Sequence, residues 1–89
     1  MIPGFNSSVT CAGVEYHVQS EDLGRKNPCI LTLVYRGGAI VHREKVDYRE
    51  ALGVEAPAPS AVRVFMDAQH RRIMAAVAAG TLPAPPAAS

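Results

Sequence analysis

His17, His42 and His70 are the only histidines in this 89-residue chain, and none sits at a spacing that makes a metal site. HxH, HExxH and CxxC patterns are absent. Glu21 and Asp22 are adjacent carboxylates. Paired acids do acid–base work only where burial splits their affinities for protons. Here they precede the polar run Gly24-Arg25-Lys26, where turn and capping roles are expected. Gly37-Gly38 lies between two strand patterns, so a tight turn accounts for it without a phosphate loop. No serine stands in a nucleophile elbow. The sequence therefore predicts no catalytic, cofactor-binding or metal-binding residue.

The elements that position these side chains are legible from periodicity. Val14, Tyr16 and Val18 alternate with Glu15, His17 and Gln19, the period of a half-buried strand. Phe5 to Cys11 precedes it, and Ala12-Gly13 can close a hairpin. That turn pairs Cys11 with Val14, Val9 with Tyr16 and Ser7 with Val18. The apolar residues of both strands then share one face, an agreement that a one-residue slip would destroy. Cys29 to Arg36 (CILTLVYR) is a strong strand, and Ala39 to Val46 returns after the Gly-Gly turn. That turn sets Tyr35 with Ile40, Leu33 with His42 and Leu31 with Glu44 on one face. Val34 with Val41, Thr32 with Arg43 and Ile30 with Lys45 fall on the other.

Asp47 to Gly53 reads as one helical turn closed by glycine. Ser60 is a plausible N-cap for a helix over about 61–79. Val62, Phe65, Met66, Gln69, Ile73, Ala76 and Val77 form its apolar stripe. Arg63, Asp67, His70 and Arg71 fall towards the other side. Gly80 suits the C′ position and Pro83 forbids continuation. The expected fold class is α+β: a four-stranded antiparallel sheet of two hairpins, followed by one C-terminal amphipathic helix. Residues 1–4 read as a flexible N-terminus, 5–82 as a single ββββα domain and 83–89 as a disordered Pro/Ala tail.

Nine basic residues against eight acidic ones argue against a dedicated nucleic-acid binder. No signal peptide pattern and no run of about 18 apolar residues are present, so a cytoplasmic chain without a membrane span is expected. Cys11 and Cys29 read as free thiols; a disulfide between them requires neighbouring strands.

Strand three is apolar on both faces, and one helix covers only one face of a sheet. Either the short 47–53 segment covers the other face or another chain does, and the second case predicts a non-catalytic protein-binding or scaffold module. Its partner-binding candidates are first Ile30, Thr32, Val34 and Val41, then His17, Gln19, Glu21 and Asp22 at the strand end, with His70 on the helix. The partner is another protein or a second copy. The alternative is a small ligand-binding domain or enzyme using His17, Glu21 and Asp22. A further alternative is weak RNA binding through Arg36, Arg43, Lys45 and the helix arginines.

The run Tyr16-His17-Val18-Gln19-Ser20-Glu21-Asp22-Leu23-Gly24, followed by Asn27-Pro28, Gly37-Gly38, Met66 and Gln69-His70, resembles a family of short bacterial proteins. These share a YHVQTED-like strand end, a Gly-Gly turn and a helix with a Gln-His pair, and the resemblance covers about 5–80. It extends to the small scaffold subunit of high-affinity bacterial [NiFe] hydrogenases. What it implies is an accessory subunit that binds hydrogenase catalytic subunits, with no catalytic role of its own. The family's stalk helix towards membrane quinone has no counterpart in the Pro/Ala tail.

Overall fold

A computed structural model describes residues 3–82, and the expected tail at 83–89 and residues 1 and 2 lie outside it. Four strands run β1 (Phe5–Cys11), β2 (Val14–Asp22), β3 (Cys29–Arg36) and β4 (Ala39–Asp47). They pair antiparallel in chain order, as a meander. Two helices follow, the single turn α1 (Tyr48–Leu52) and the long α2 (Pro59–Ala79). The fold is α+β, as the periodicities predict.

Hairpin one has the expected register: Cys11 opposes Val14, Val9 opposes Tyr16 and Ser7 opposes Val18. Its turn puts Ala12 at φ 52° and Gly13 at φ 77°, a type I′ geometry that matches strand twist. Between β2 and β3, Val18 opposes Val34, Ser20 opposes Thr32 and Asp22 opposes Ile30. The face of hairpin one that carries Val9 and Val18 therefore continues into Ile30, Thr32 and Val34.

Hairpin two departs from the expected register. Tyr35 opposes Ile40, but Val34 opposes His42 and not Val41, Leu33 opposes Arg43, and Leu31 opposes Lys45. Val41 is the extra residue of a β-bulge. A bulge near a tight turn has no composition signature here, so an unbroken ladder was the natural expectation.

α2 lies over the face containing Val18, Ile30 and Val34. Its start is also corrected: Pro59 opens it, Ala58 is the N-cap without a side-chain bond, and Ser60 sits inside the first turn. Proline at the first helical position supplies a helical φ and lacks only an N–H that would have no partner anyway. Gly80 ends the helix at φ 69°, as expected. α1 is capped by Asp47, whose carboxylate accepts from the Glu50 N–H at 3.0 Å, and is closed by Gly53.

The core has two apolar clusters. Val18, Val34, Ile73 and Val77 form one, with Val9, Tyr16, Val41, Met74 and Leu82 packed on it. Ile30, Tyr48, Val62 and Met66 form the other, with Phe5 and Phe65. Cys11 and Cys29 are free thiols on strands that are not neighbours.

Candidate functional site

Between the two clusters lies a buried polar layer. Ser20 and Thr32 are fully buried, and Gln69 and His70 are each 4% exposed. His70 Nε2 meets Ser7 Oγ at 2.9 Å and its Nδ1 meets Ser20 Oγ at 2.8 Å. Ser20 and Thr32 hydroxyls are 2.6 Å apart. Gln69 Nε2 donates to Thr32 Oγ1 at 3.1 Å and to the Ile30 carbonyl at 3.2 Å. Phe5 presents an edge-on ring contact to the imidazole, centroids 5.6 Å apart.

One proton arrangement gives both fully buried hydroxyl hydrogens an acceptor. Thr32 donates to Ser20, Ser20 donates to Nδ1, and the Nε2–H donates to Ser7. A protonated imidazole would donate from both nitrogens. Ser20 would then turn to Thr32, and the Thr32 hydrogen would lose its acceptor. Burial accordingly pushes the His70 pKa below the usual histidine value, with Asp67 opposing and His17 adding to the shift. A serine hydroxyl on an imidazole resembles part of a hydrolytic triad. Ser20, however, has no exposed surface for a substrate to reach. The layer is a positioning device. Gln69 and His70 both bond to the Ser20–Thr32 pair, and a helix shifted by one turn would take them away from it and towards Val18 and Val34.

This layer corrects the reading of His70 as a surface or partner-binding residue. Met66, His70, Ile73 and Val77 recur at four, three and four residues, which puts His70 on the buried stripe. A signal was present in the sequence. Ser7 and Ser20 occupy core-facing registers of hairpin one, and Gln69 lies in the apolar stripe, a polar set that had to find partners.

At the end of β2 the alternation separates the expected cluster. Asp22 turns inward and is 7% exposed, whereas His17 and Glu21 point to the opposite face and are exposed. An acid–base site of His17, Glu21 and Asp22 therefore does not assemble. Asp22 accepts from the Tyr48 hydroxyl at 3.3 Å and from the Gly24 N–H at 2.9 Å. Burial, followed by the charge and hydrogen bond of Asp22, raises the Tyr48 pKa. Both residues stand in a cleft of about 580 Å³ whose walls include Arg25, Pro28, Arg49, Pro57 and Val62.

The face opposite α2 is open among the described residues. It carries the outward side chains of β3, Leu31, Leu33 and Tyr35, each half-buried. Ile40 extends the stripe and is 55% exposed. β2 borders the stripe with His17, Gln19 and Glu21, and β4 borders it with Arg43 and Lys45. His17 is held by Asn6 Oδ1 at 3.2 Å and leans on Tyr35. The expectation of an uncovered β3 face thus meets an open face, but the opposite one. Ile30, Thr32 and Val34 are fully buried under α2 and its neighbours, and Val41 packs on the same core. The reason is the β2–β3 register, which joins Ile30, Thr32 and Val34 to the apolar side of hairpin one.

Among the described residues, no three His, Cys, Asp or Glu side chains come together as metal ligands. Among the same residues, no helix is long and apolar enough to cross a membrane. Compared with known protein families, curated proteins and solved structures, the chain has no match.

Proposed function

We propose that the chain is a non-catalytic protein-docking module that works through the open face of its sheet. The observation that carries this reading is the Leu31–Leu33–Tyr35 stripe with Ile40, apolar and uncovered, on the side of the sheet away from α2. A contiguous apolar strip edged by charge is the surface composition of a binding site. The polar layer supports it from beneath. It fixes three strands against one helix, so the face is rigid before it binds, which lowers the entropy of docking. The resemblance to hydrogenase scaffold subunits is consistent with this role and would supply a catalytic subunit as the partner.

Leu33→Glu and Ile40→Lys test the reading. Each introduces charge on the open face without touching the core. Association should be lost while the far-UV circular dichroism spectrum and the melting midpoint stay close to wild type. Association that survives both changes would remove the open face as the docking surface.

A second reading is favoured by the cleft under Asp22 and Tyr48. Its volume lies within the roughly 300–1,000 Å³ of small-ligand sites. Tyr48→Phe and Arg49→Ala would weaken a ligand held there and leave docking through Leu33 unchanged.

A further inference from the structure

We propose that the open face is closed by a second copy of this chain, stacked face to face about a two-fold axis that runs along β3. This rests on the docking reading above and names its partner. The argument is the register of three rows that cross the sheet. Glu21, Leu31 and Lys45 lie in one row; Gln19, Leu33 and Arg43 in the next; His17, Tyr35 and Ile40 in the third. Rotation about β3 exchanges β2 and β4 within each row. Glu21 then opposes Lys45 of the other copy, Gln19 opposes Arg43, and His17 opposes Ile40. Leu31, Leu33 and Tyr35 each oppose themselves.

The competing axis, across the strands, is disfavoured by the same rows. It reverses their order and leaves the middle row facing itself. Arg43 would then meet Arg43, and Lys45 would meet Ile40. Like charges in opposition repel, and an unpaired ammonium over an apolar side chain loses solvation. Both axes stack the apolar β3 residues on one another, but only the axis along β3 sets Glu21 against Lys45 and keeps the two Arg43 side chains apart. Twisted sheets pack at about 30° to one another, so each sheet sits roughly 15° from the axis. At that angle the long Glu21 and Lys45 side chains still reach.

The area sets the expected strength. The three strands that oppose one another, β2 to β4, at about 4.8 Å spacing and seven residues at about 3.3 Å rise give a face of roughly 14 by 23 Å. That is below the roughly 800 Å² per partner of a standard interface. A face this small makes the dimer weak and reversible.

Sedimentation velocity of the full chain, from about 5 μM to 1 mM, reads this directly. Glu21 and Lys45 are both exposed, so charge reversal leaves the fold intact. Glu21→Lys and Lys45→Glu should each weaken self-association by roughly tenfold or more, since each turns two attractive pairs per dimer repulsive. Mixing the two variants should restore it, because every charge on one then meets its opposite on the other. A wild type that stays monomeric throughout overturns the proposal. So do single variants that associate as wild type does, or a mixture that fails to recover. If the wild type is monomeric but retains another protein on a column in a Leu33-dependent way, self-association falls and the docking reading stands. If no such retention is seen, both fall.

Discussion

His70 spans the two scales of this molecule's chemistry, because one proton on it decides whether two buried hydroxyls are satisfied. Its folded pKa lies below the unfolded value of about 6.5, so the unfolded chain binds the proton more readily. The stabilisation is complete above about pH 6.5 and is lost as pH falls through the folded value. The melting midpoint should therefore drop between about pH 7 and pH 5, and His70→Gln should flatten that slope. His17 and Asp67 act on the same imidazole with opposite signs, so His17→Gln should soften the drop. Thr32→Val tests the layer without touching the titrating group. It takes one buried hydrogen-bond partner from each of Ser20 and Gln69 and should cost about 1–3 kcal/mol in urea unfolding. Gln69 Oε1 has no hydrogen-bond partner among the described residues even in the wild type. The layer is thus held for its geometry and is not a pure gain in stability.

The strands and the helix were legible in the sequence because each has a strong period and clear ends. Val14 to Val18 alternate, Gly37-Gly38 turn, and Gly80 stops α2 as expected. Three things were not legible. The β2–β3 register depends on the six-residue connection Leu23 to Pro28, which no pattern constrains, and it decided which face of β3 is covered. The bulge at Val41 leaves no trace in residue type. The helix start at Pro59 replaced the side-chain cap anticipated at Ser60. Each element also carries a local imperfection that can be repaired. Ala12 holds a left-handed φ of 52°, which costs a non-glycine residue about 1–2 kcal/mol. Ala12→Asn should raise stability by roughly 0.5–1 kcal/mol in denaturant titration. Ala58→Ser supplies the missing cap and should add about 1 kcal/mol. Deleting Val41 should be tolerated, because His42 already opposes Val34 and the ladder then closes without a bulge. Deleting Arg43 should be absorbed at the same bulge, with Val41 and His42 changing face while Glu44 and Val46 keep their partners.

At the scale of the whole molecule, one long helix and one sheet bury a shared layer and, among the described residues, leave the far side of the sheet bare. The ion pair of Arg72 with Glu44 ties the helix to β4, the strand least covered by it. The contacts of the sheet are all between chain neighbours, whereas those that fill its core reach across the sequence: His70 and Ser20 are 50 residues apart. During translation the meander can therefore pair before anything exists to cover it. At about 5–20 residues per second, roughly 1–5 s separate the synthesis of Asp47, which completes the sheet, from that of His70. For that interval the nascent chain presents Val18, Ile30 and Val34 on one side and Leu31, Leu33 and Tyr35 on the other. A ribosome-associated chaperone would meet a sheet that is sticky on both faces, and the arrival of α2 masks only one of them.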